Sequence, residues 1–562
     1  MRISRLQIEN FRSIKKLDVE LPQICALVGP NNAGKSNVLS AIYRVLGRDW
    51  INVRAFSEDD VFGKNPSLDV RITAWFEPPV AYLEFKHAPP SQIAALSFEY
   101  ARYKVGPQKG ERRLEQKCLD SKGQPVMVLS KAPKAGEKHQ YKPLLAIPAA
   151  VREAVPLIHI GTNRSLREHL PDARHSLLRP LLEDIDAELR SRSEKIMVKS
   201  PDGTETEIPR IEHFATLMKD ILSVLQTPAF VNLQTSIKRN ALRQLGFDPD
   251  SDSDKLDFFF QAFESMDFYK ALDLQVREGD LSISATELGE GFQNAIVLAI
   301  LRAFEEHRKR GAVLVIEEPE MFLHPQMQRS LYKTLREIGA GNQVIYTTHS
   351  PHFVAVPDYE QVLLVRRGAE GTGVSRSNLK SDAKLREKLV KELDPERNEL
   401  FFASRLLLVE GDTEKLSLPE YGKRLSLDLD RQGATIVEAG GKRSLLEFAK
   451  VAISYGIPTG LLYDEDSSDF GEKHTEEAAF NAKLDSLAKA DGSVRVWRLT
   501  KRYEDCVRTA LGETKYQELC QKFGNTGKPT RARLIAMESD LPVPAPFGEV
   551  LHWLASKPMP GA

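Results

Sequence analysis

The 562-residue chain has no apolar run near the length of a membrane span, and its N-terminus, MRISRLQIENFRSI, has no apolar signal core. These absences argue against an anchor or a secretory leader, and a cytoplasmic protein is expected. Cysteine is scarce: Cys25, Cys118, Cys506 and Cys520 lie far apart, without disulfide-framework or metal-ligand spacing, and read as buried or surface thiols. Net charge is nearly absent too, at -1, so any nucleic-acid surface must be local. What remains is a globular composition, 41% hydrophobic and 28% charged, in a chain too long for one core. About two to four domains are expected.

The stretch Gly29 to Ser36, GPNNAGKS, fits the G-x-x-x-x-G-K-[ST] phosphate loop at every fixed position. It follows the apolar segment Ile24 to Val28 and precedes Asn37 to Leu46, where Val38, Leu39, Ile42 and Leu46 share one side of a helix. In such a loop backbone N–H groups close around a polyphosphate, Lys35 reaches the β and γ phosphates, and Ser36 offers its hydroxyl to Mg2+. Gly29, Asn31, Asn32, Gly34, Lys35, Ser36 and Asn37 are the expected nucleotide-binding residues. The acidic partners come late. In VLVIEEPE the run Val313 to Ile316 reads as a buried parallel strand with carboxylates at its C-terminal end. Glu317 is expected to help hold Mg2+ and Glu318 to polarise the attacking water. His349, after the strand Gln343 to Tyr346, stands where a γ-phosphate sensor belongs.

The phrase IENFRSI, followed by GPNNAGKSN, resembles the head domains of ABC-type ATPases that work on DNA, the RecF and SMC kind. The long insertion between the two ATPase motifs argues against a transporter subunit. Between Leu68 and Pro148, DVRITAWF, LSFEYARYKV, ERRLEQKCLD and PVMVLS read as an antiparallel sheet within the ATPase lobe. Residues 101–145 hold eleven Lys or Arg against four acids, which suits a solvated rim and a phosphate-backbone contact equally. From about 166 to 250 the chain reads as a helical insertion. Leu177, Leu178, Leu181, Leu182, Ile185 and Leu189, then Ile211, Phe214, Leu217, Met218, Ile221, Leu222 and Leu225, recur at helical spacing around a polar, hairpin-like stretch, Lys199 to Pro209. Pairing with a second copy is favoured over capping of the ATPase core. After Lys255 the sheet is expected to resume. Glu287 to Ile300, ELGEGFQNAIVLAI, sits where an ABC ATPase carries its signature, and matches the usual LSGGQ in part. There Gly289, Gly291 and Gln293 would face the γ-phosphate of a partner's ATP. Arg366 to Glu399, polar and punctuated by glycine, reads as a linker.

A second βα series follows. Arg405 to Val409 ends in Glu410, Ala434 to Val437 leads to Gly440 and Gly441, and Gly460 to Tyr463 ends in Asp464-Glu465-Asp466. The strand ends share the edge where α/β sheets place their sites. Asp464 and Asp466, two apart on an extended segment, would face one side and hold Mg2+ with Glu410, and oxygen-only ligands favour Mg2+ or Mn2+ over zinc. LLLVEGDTE and LLYDED resemble the glutamate and DxD motifs of the Toprim domain. That resemblance gives Glu504 in YEDCV the place of another metal-binding acid, and Lys528 in GKPTRARLIA that of a basic residue near the scissile phosphate.

An ABC-type ATPase followed by a Toprim domain is similar to the OLD (overcoming lysogenisation defect) nuclease family, over essentially the whole chain. The implied fold is α/β. Residues 1–165 and 256–395 would form an ABC-type head, a mixed sheet with an antiparallel subdomain; 166–255 a helical dimerisation insertion; and 400–562 a Rossmann-like parallel-sheet Toprim domain. The implied activity is ATP-regulated, Mg2+- or Mn2+-dependent cleavage of DNA by two-metal hydrolysis, with Glu410, Glu414, Asp464, Asp466 and Glu504 as ligands, in defence against phage or in repair. The implied assembly is a homodimer or a dimer of dimers, and members like the Gabija nuclease subunit work with a UvrD-like helicase. The competing reading is a RecF- or SMC-like DNA-binding or nucleotide-sensing protein with a non-catalytic Toprim domain. A Toprim primase would require NTP- and template-binding features that this sequence does not offer, and no tyrosine can be assigned as a topoisomerase nucleophile.

Overall fold

The computed structural model describes the chain apart from residues 48–52, 83–90, 130–139, 145–146, 163–164, 174–175, 177, 192, 200–202, 204, 246, 257–263, 279–280, 308–310, 380–382, 391–394, 467–473, 491 and 557–562. It divides into two compact units, Met1–Thr162 with Arg310–Ala562, and Asn163–Lys309.

The first unit holds three principal sheets. In the strand Ile14–Glu20 the apolar Ile14, Leu17 and Val19 point inward while Asp18 and Glu20 point out, the alternation of a sheet with one wet face. This strand belongs to a five-stranded antiparallel sheet, ordered Ile14–Glu20, Arg2–Phe11, Val70–Tyr82, Ser91–Arg102 and Arg112–Leu119. The second sheet has the order Gly371–Arg376, Val362–Gly368, Ile24–Val28, Gln343–Thr348, Val313–Glu317 and Leu157–Ile160. All its pairs but the first are parallel. Its inner strands are near-continuous apolar runs because both faces are covered, and Gln343–Thr348 is buried at every position. The core of these two sheets is one cluster that includes Phe11, Ile42, Phe98, Val315 and Ile345. The third sheet is all parallel, ordered Ala434–Glu438, Arg405–Val409, Thr459–Asp464 and Val494–Leu499. Its core gathers Leu407, Val409, Leu462, Phe547 and Trp553.

Two expectations are corrected. The segment after Arg366 opens on an antiparallel hairpin, Val362–Gly368 with Gly371–Arg376, at the edge of the six-stranded sheet. Its glycines make the turn of a hairpin, and the buried Leu363, Leu364 and Val365 anchor it in the core. Helices Ala383–Val390 and Pro395–Asn398 take up much of the remainder. Among the described residues the sheet also does not resume after Lys255: there Gln275–Glu278 and Leu281–Ser284 pair only with each other, and the six-stranded sheet is rejoined at Val313.

The second unit carries helices Leu178–Arg190, Arg210–Leu225, Pro228–Gln244 and Glu290–His307, with a hairpin of Lys195–Lys199 and Glu205–Pro209. Residues 200–202 and 204, within the expected polar hairpin, lie outside the described residues. Helix Arg210–Leu225 buries none of its residues. Leu217, Ile221, Val224 and Leu225 are exposed on it, as are Val231, Leu233 and Ile237 on the helix that follows. Among the described residues no helix is long and apolar enough to cross a membrane.

Candidate active site

Two sites occupy strand ends of the first unit. In the phosphate loop Gly34 has φ 107°, and a Cβ there would lie 2.2 Å from Thr372 Oγ1. Thr372, in the edge hairpin, donates its hydroxyl to Ala33 O at 2.8 Å. The hairpin thus buttresses the loop, and only glycine fits the crossing. Helix Lys35–Leu46 starts at once, and Lys35 is buried. Its Nζ donates to Gly29 O at 2.9 Å and to His349 Nε2 at 2.7 Å. Burial, with the Lys35 charge beside it, holds the His349 pKa below the ordinary histidine value, so a neutral ring accepts that bond. Burial likewise lowers Lys35, against the pull of Glu318 and Glu320.

Glu318 has φ 44° and lies 3.7 Å from His349 Nε2, and its N–H is held by Thr347 O at 3.1 Å. Glu317 Oε1 is 3.3 Å from His159 Nε2, on the neighbouring strand. Lys35, Glu318 and His349 are therefore drawn together. Asn31, Asn32 and Ser36 are exposed on the loop. Asn37 points elsewhere, donating to Ser13 Oγ at 2.7 Å. Gly289, Gly291 and Gln293 belong to the second unit, where the Gln293 amide donates to Thr286 O and Leu288 O at 2.9 and 2.7 Å.

Glu320 was missed by sequence reasoning. Its Oε1 accepts from Thr348 Oγ1 at 2.9 Å and from the His349 N–H at 2.5 Å, burial raises its pKa, and Oε2 is buried without a partner among the described residues. The signal was its place two residues past Glu318 in the acidic string.

The second site lies where Arg405–Val409 and Thr459–Asp464 end. Glu410 Oε1 accepts from the Asp464 N–H at 2.8 Å, tying the two strand ends together. Glu414, in the first turn of helix Asp412–Arg424, is buried. Asp464 Oδ1 is buried with no partner among the described residues. Burial, reinforced by neighbouring carboxylates, pushes Glu410, Glu414 and Asp464 each up to about 7. Glu504, in the first turn of helix Tyr503–Leu511, meets Lys528 Nζ at 2.8 Å. Burial works against the Lys528 charge, but the bond to Glu504 and the fields of Asp464 and Glu414 outweigh it and raise its pKa.

The chain does not stay extended across the aspartate pair. Asp466 has φ 51°, and its carboxylate turns to Lys442 Nζ at 3.2 Å and Arg502 Nε at 3.5 Å. Lys442, its side chain 7% exposed, was also missed, although it directly follows Gly440-Gly441 at the start of helix Lys442–Ser454.

As they stand, no three Asp, Glu, His or Cys side chains among the described residues converge to hold an ion. The donor set nonetheless fits a hard divalent cation: all the candidate donors are oxygen, Asp464 Oδ1 lacks a partner among the described residues, and three carboxyls are pushed up to about 7 by burial and mutual repulsion that a cation would reverse. Four of the eleven cations of the stretch 101–145 are ion-paired with nearby carboxylates. Arg102 and Arg112 each lie 2.9 Å from Glu58, Arg113 is 2.6 Å from Glu115, and Lys117 is 3.0 Å from Glu99. Its residues 130–139 and 145 lie outside the described residues.

Comparison with known proteins agrees with this two-site arrangement. An AAA ATPase domain model matches residues 1–142 and 161–354. A model for the TOPRIM domain of overcoming lysogenization defect protein-like proteins matches residues 401–466. The chain is 29% identical to an OLD nuclease of Thermus scotoductus over 503 residues, covering 88% of each. It is 25% identical to the Old nuclease of Escherichia phage P2, over 83% of this chain and 77% of that one. Endonuclease GajA of Bacillus cereus is 21% identical, over 78% and 71%. With its AAA ATPase domain followed by an OLD-like Toprim domain, the chain belongs to the OLD nuclease family.

Proposed function

We propose that the chain is an ATP-dependent, metal-dependent DNA endonuclease of anti-phage defence. The observation that carries this reading is the buried carboxylate group at the ends of Arg405–Val409 and Thr459–Asp464, with its partnerless Asp464 oxygen and Lys528 beside it. Glu410, Glu414, Asp464, Asp466 and Glu504 would hold Mg2+ or Mn2+, which supplies an activated water and charge stabilisation on the leaving oxygen. Burial strips water from these carboxylates and strengthens each interaction within the site. Lys528 places a positive charge beside the scissile phosphate, and its contact with Glu504 fixes it there.

In the ATPase site ATP with Mg2+ would lie on the loop Gly29 to Asn37, with Ser36 and Glu317 toward the ion. Lys35 would exchange its carbonyl and imidazole partners for phosphate oxygens, and His349 would report the γ-phosphate. Glu318 orients the water.

A connection between the sites supports control by ATP. The strand Val362–Gly368 lies beside Ile24–Val28, which leads into the phosphate loop. Buried Tyr455 donates its hydroxyl to Val362 O at 3.0 Å. Tyr455 closes helix Lys442–Ser454, whose other end places Lys442 on Asp466. We assign residues 1–165 and 256–395 to the ATPase and 400–562 to the nuclease, and the exposed apolar helices within 166–255 to a homodimer contact. A UvrD-like helicase is the partner we would test.

The deciding experiment is cleavage of supercoiled plasmid in Mg2+ or Mn2+, wild type beside Glu410→Gln. Wild-type product that is lost in the variant supports the reading; DNA bound and never cut, with either metal and any nucleotide, overturns it and favours a DNA-binding sensor.

A further inference from the structure

A cavity of about 460 Å3 adjoins the carboxylates, and apart from Glu504 and Lys528 its lining has no part in the hydrolysis proposed above. It is walled by helices Tyr503–Leu511, Glu513–Lys522 and Lys528–Met537. Its size lies within the range of small-ligand pockets. Four cations reach it, Arg502, Arg508, Lys528 and Arg531, against the two acids Glu504 and Asp505. A cationic hollow therefore sits directly against an acidic metal site.

Three features show what it would hold. Arg531 donates one guanidinium nitrogen to Thr526 O at 3.2 Å, while its Nε is buried without a partner among the described residues. Such a guanidinium suits a phosphate oxygen. Arg508 lies over the Tyr516 ring, 5.2 Å from its centroid, and is fixed there by Asp505 at 3.1 Å. A ring backed by a guanidinium plane is the surface on which unstacked bases settle. Third, Lys528 stands where the pocket meets the metal site, 2.8 Å from Glu504. A strand whose scissile phosphate lies over the carboxylates would therefore pass its next nucleotide into the hollow, whose inner wall includes buried Ile535.

We propose that this cavity is a nucleotide pocket that receives one unstacked nucleotide of the strand being cut, its phosphate on Arg531 and Lys528 and its base on the Tyr516–Arg508 stack. The inference rests on the nuclease reading. It specifies the substrate as DNA that gives up a base easily next to the cut, such as a mismatch, bubble or nicked end, because unstacking is cheapest there.

The test uses the full-length protein, wild type beside Arg531→Gln and Tyr516→Leu. Binding of a fluorescent oligonucleotide is followed by anisotropy in Ca2+ over a salt series, and cleavage kinetics in Mn2+. Arg531→Gln should weaken binding and raise KM about tenfold with kcat within about twofold, and flatten the log–log salt slope by about 0.7–0.9, the loss of one phosphate contact. Removing the base beside the cut should weaken the wild type about tenfold and leave Tyr516→Leu unaffected, since the variant has already lost the base–aromatic stack. Wild-type affinity, KM and salt slope in both variants would overturn the pocket. So would losses that appear only together with a lower melting temperature or reduced ATP turnover, which would mark the residues as structural. If the wild type binds DNA and cuts nothing, the nuclease reading fails, and the anisotropy comparison still decides whether the pocket holds a nucleotide.

Discussion

Replacing Asp464 with Asn should abolish cutting and make the metal-free protein more stable, an inversion that follows from the burial of charge. An aspartate ordinarily ionises near 3.8, and Asp464 is pushed up to about 7 by burial and by Glu410, Asp466 and Glu504. Because its folded-state pKa is raised, the folded state binds the proton more tightly than the unfolded chain does. The penalty is absent below about pH 3, grows between about pH 3 and 7, and is fully present at pH 8. At 1.4 kcal/mol per pKa unit the limit is about 4 kcal/mol. Glu410 and Glu414 share the same repulsion, so the part released by one neutral substitution is about 2 kcal/mol. Asn keeps the shape and removes the charge. At pH 8 in EDTA the melting transition of the variant should rise by several degrees, with only about a quarter of that difference left at pH 4.5 and none below about pH 3. Mg2+ should raise the wild-type transition at pH 8 and leave the variant nearly unmoved, because binding to the folded state alone stabilises it. A variant less stable than wild type at pH 8, or equal stabilisation of both by Mg2+, would refute the argument.

Lys35→Ala should reduce ATP turnover at least about a hundredfold, since it removes the buried charge proposed to reach the transferring phosphates; a coupled phosphate-release assay would show it. Tyr455→Phe removes the hydroxyl that meets Val362 O and should leave ATP turnover and ATP-free cutting near wild type while reducing the effect of ATP on cutting, measured by comparing cleavage rates with and without nucleotide. Val224→Asp places a carboxylate on a helix face whose residue 224 is 76% exposed, and should shift the protein to monomer in light scattering with little loss of stability.

Much of both sites was legible because each lies at the end of a short buried strand, where an apolar run stops and functional residues begin. GPNNAGKS, VLVIEEPE and LLLVEGDTE all have that form. What sequence reading missed depended on contacts between distant segments. Thr372 sits in a stretch that looks like a linker, yet its hydroxyl bonds the phosphate loop at Ala33. Lys442 meets Asp466 only because the loops that follow Ala434–Glu438 and Thr459–Asp464, two strands on either side of Arg405–Val409, converge. The pairing of Asp464 with Asp466 failed as simple alternation because the backbone turns at Asp466, with φ 51°. The cations of 101–145 invited a nucleic-acid reading by count alone, and Glu58 and Glu99, which answer several of them, come from outside that stretch. Helix Pro228–Gln244 was absorbed into the insertion without separate notice, although Thr227 caps it and Pro228 occupies its first turn.

The most direct measurement is conversion of supercoiled plasmid by purified protein in Mn2+ or Mg2+, with and without ATP, beside Asp464→Ala. Nicked or linear DNA from the wild type, none from Asp464→Ala despite intact ATP turnover, and a rate that changes with ATP are the predicted results. Equal cutting by both proteins, or none by the wild type while it binds the plasmid, would contradict the account.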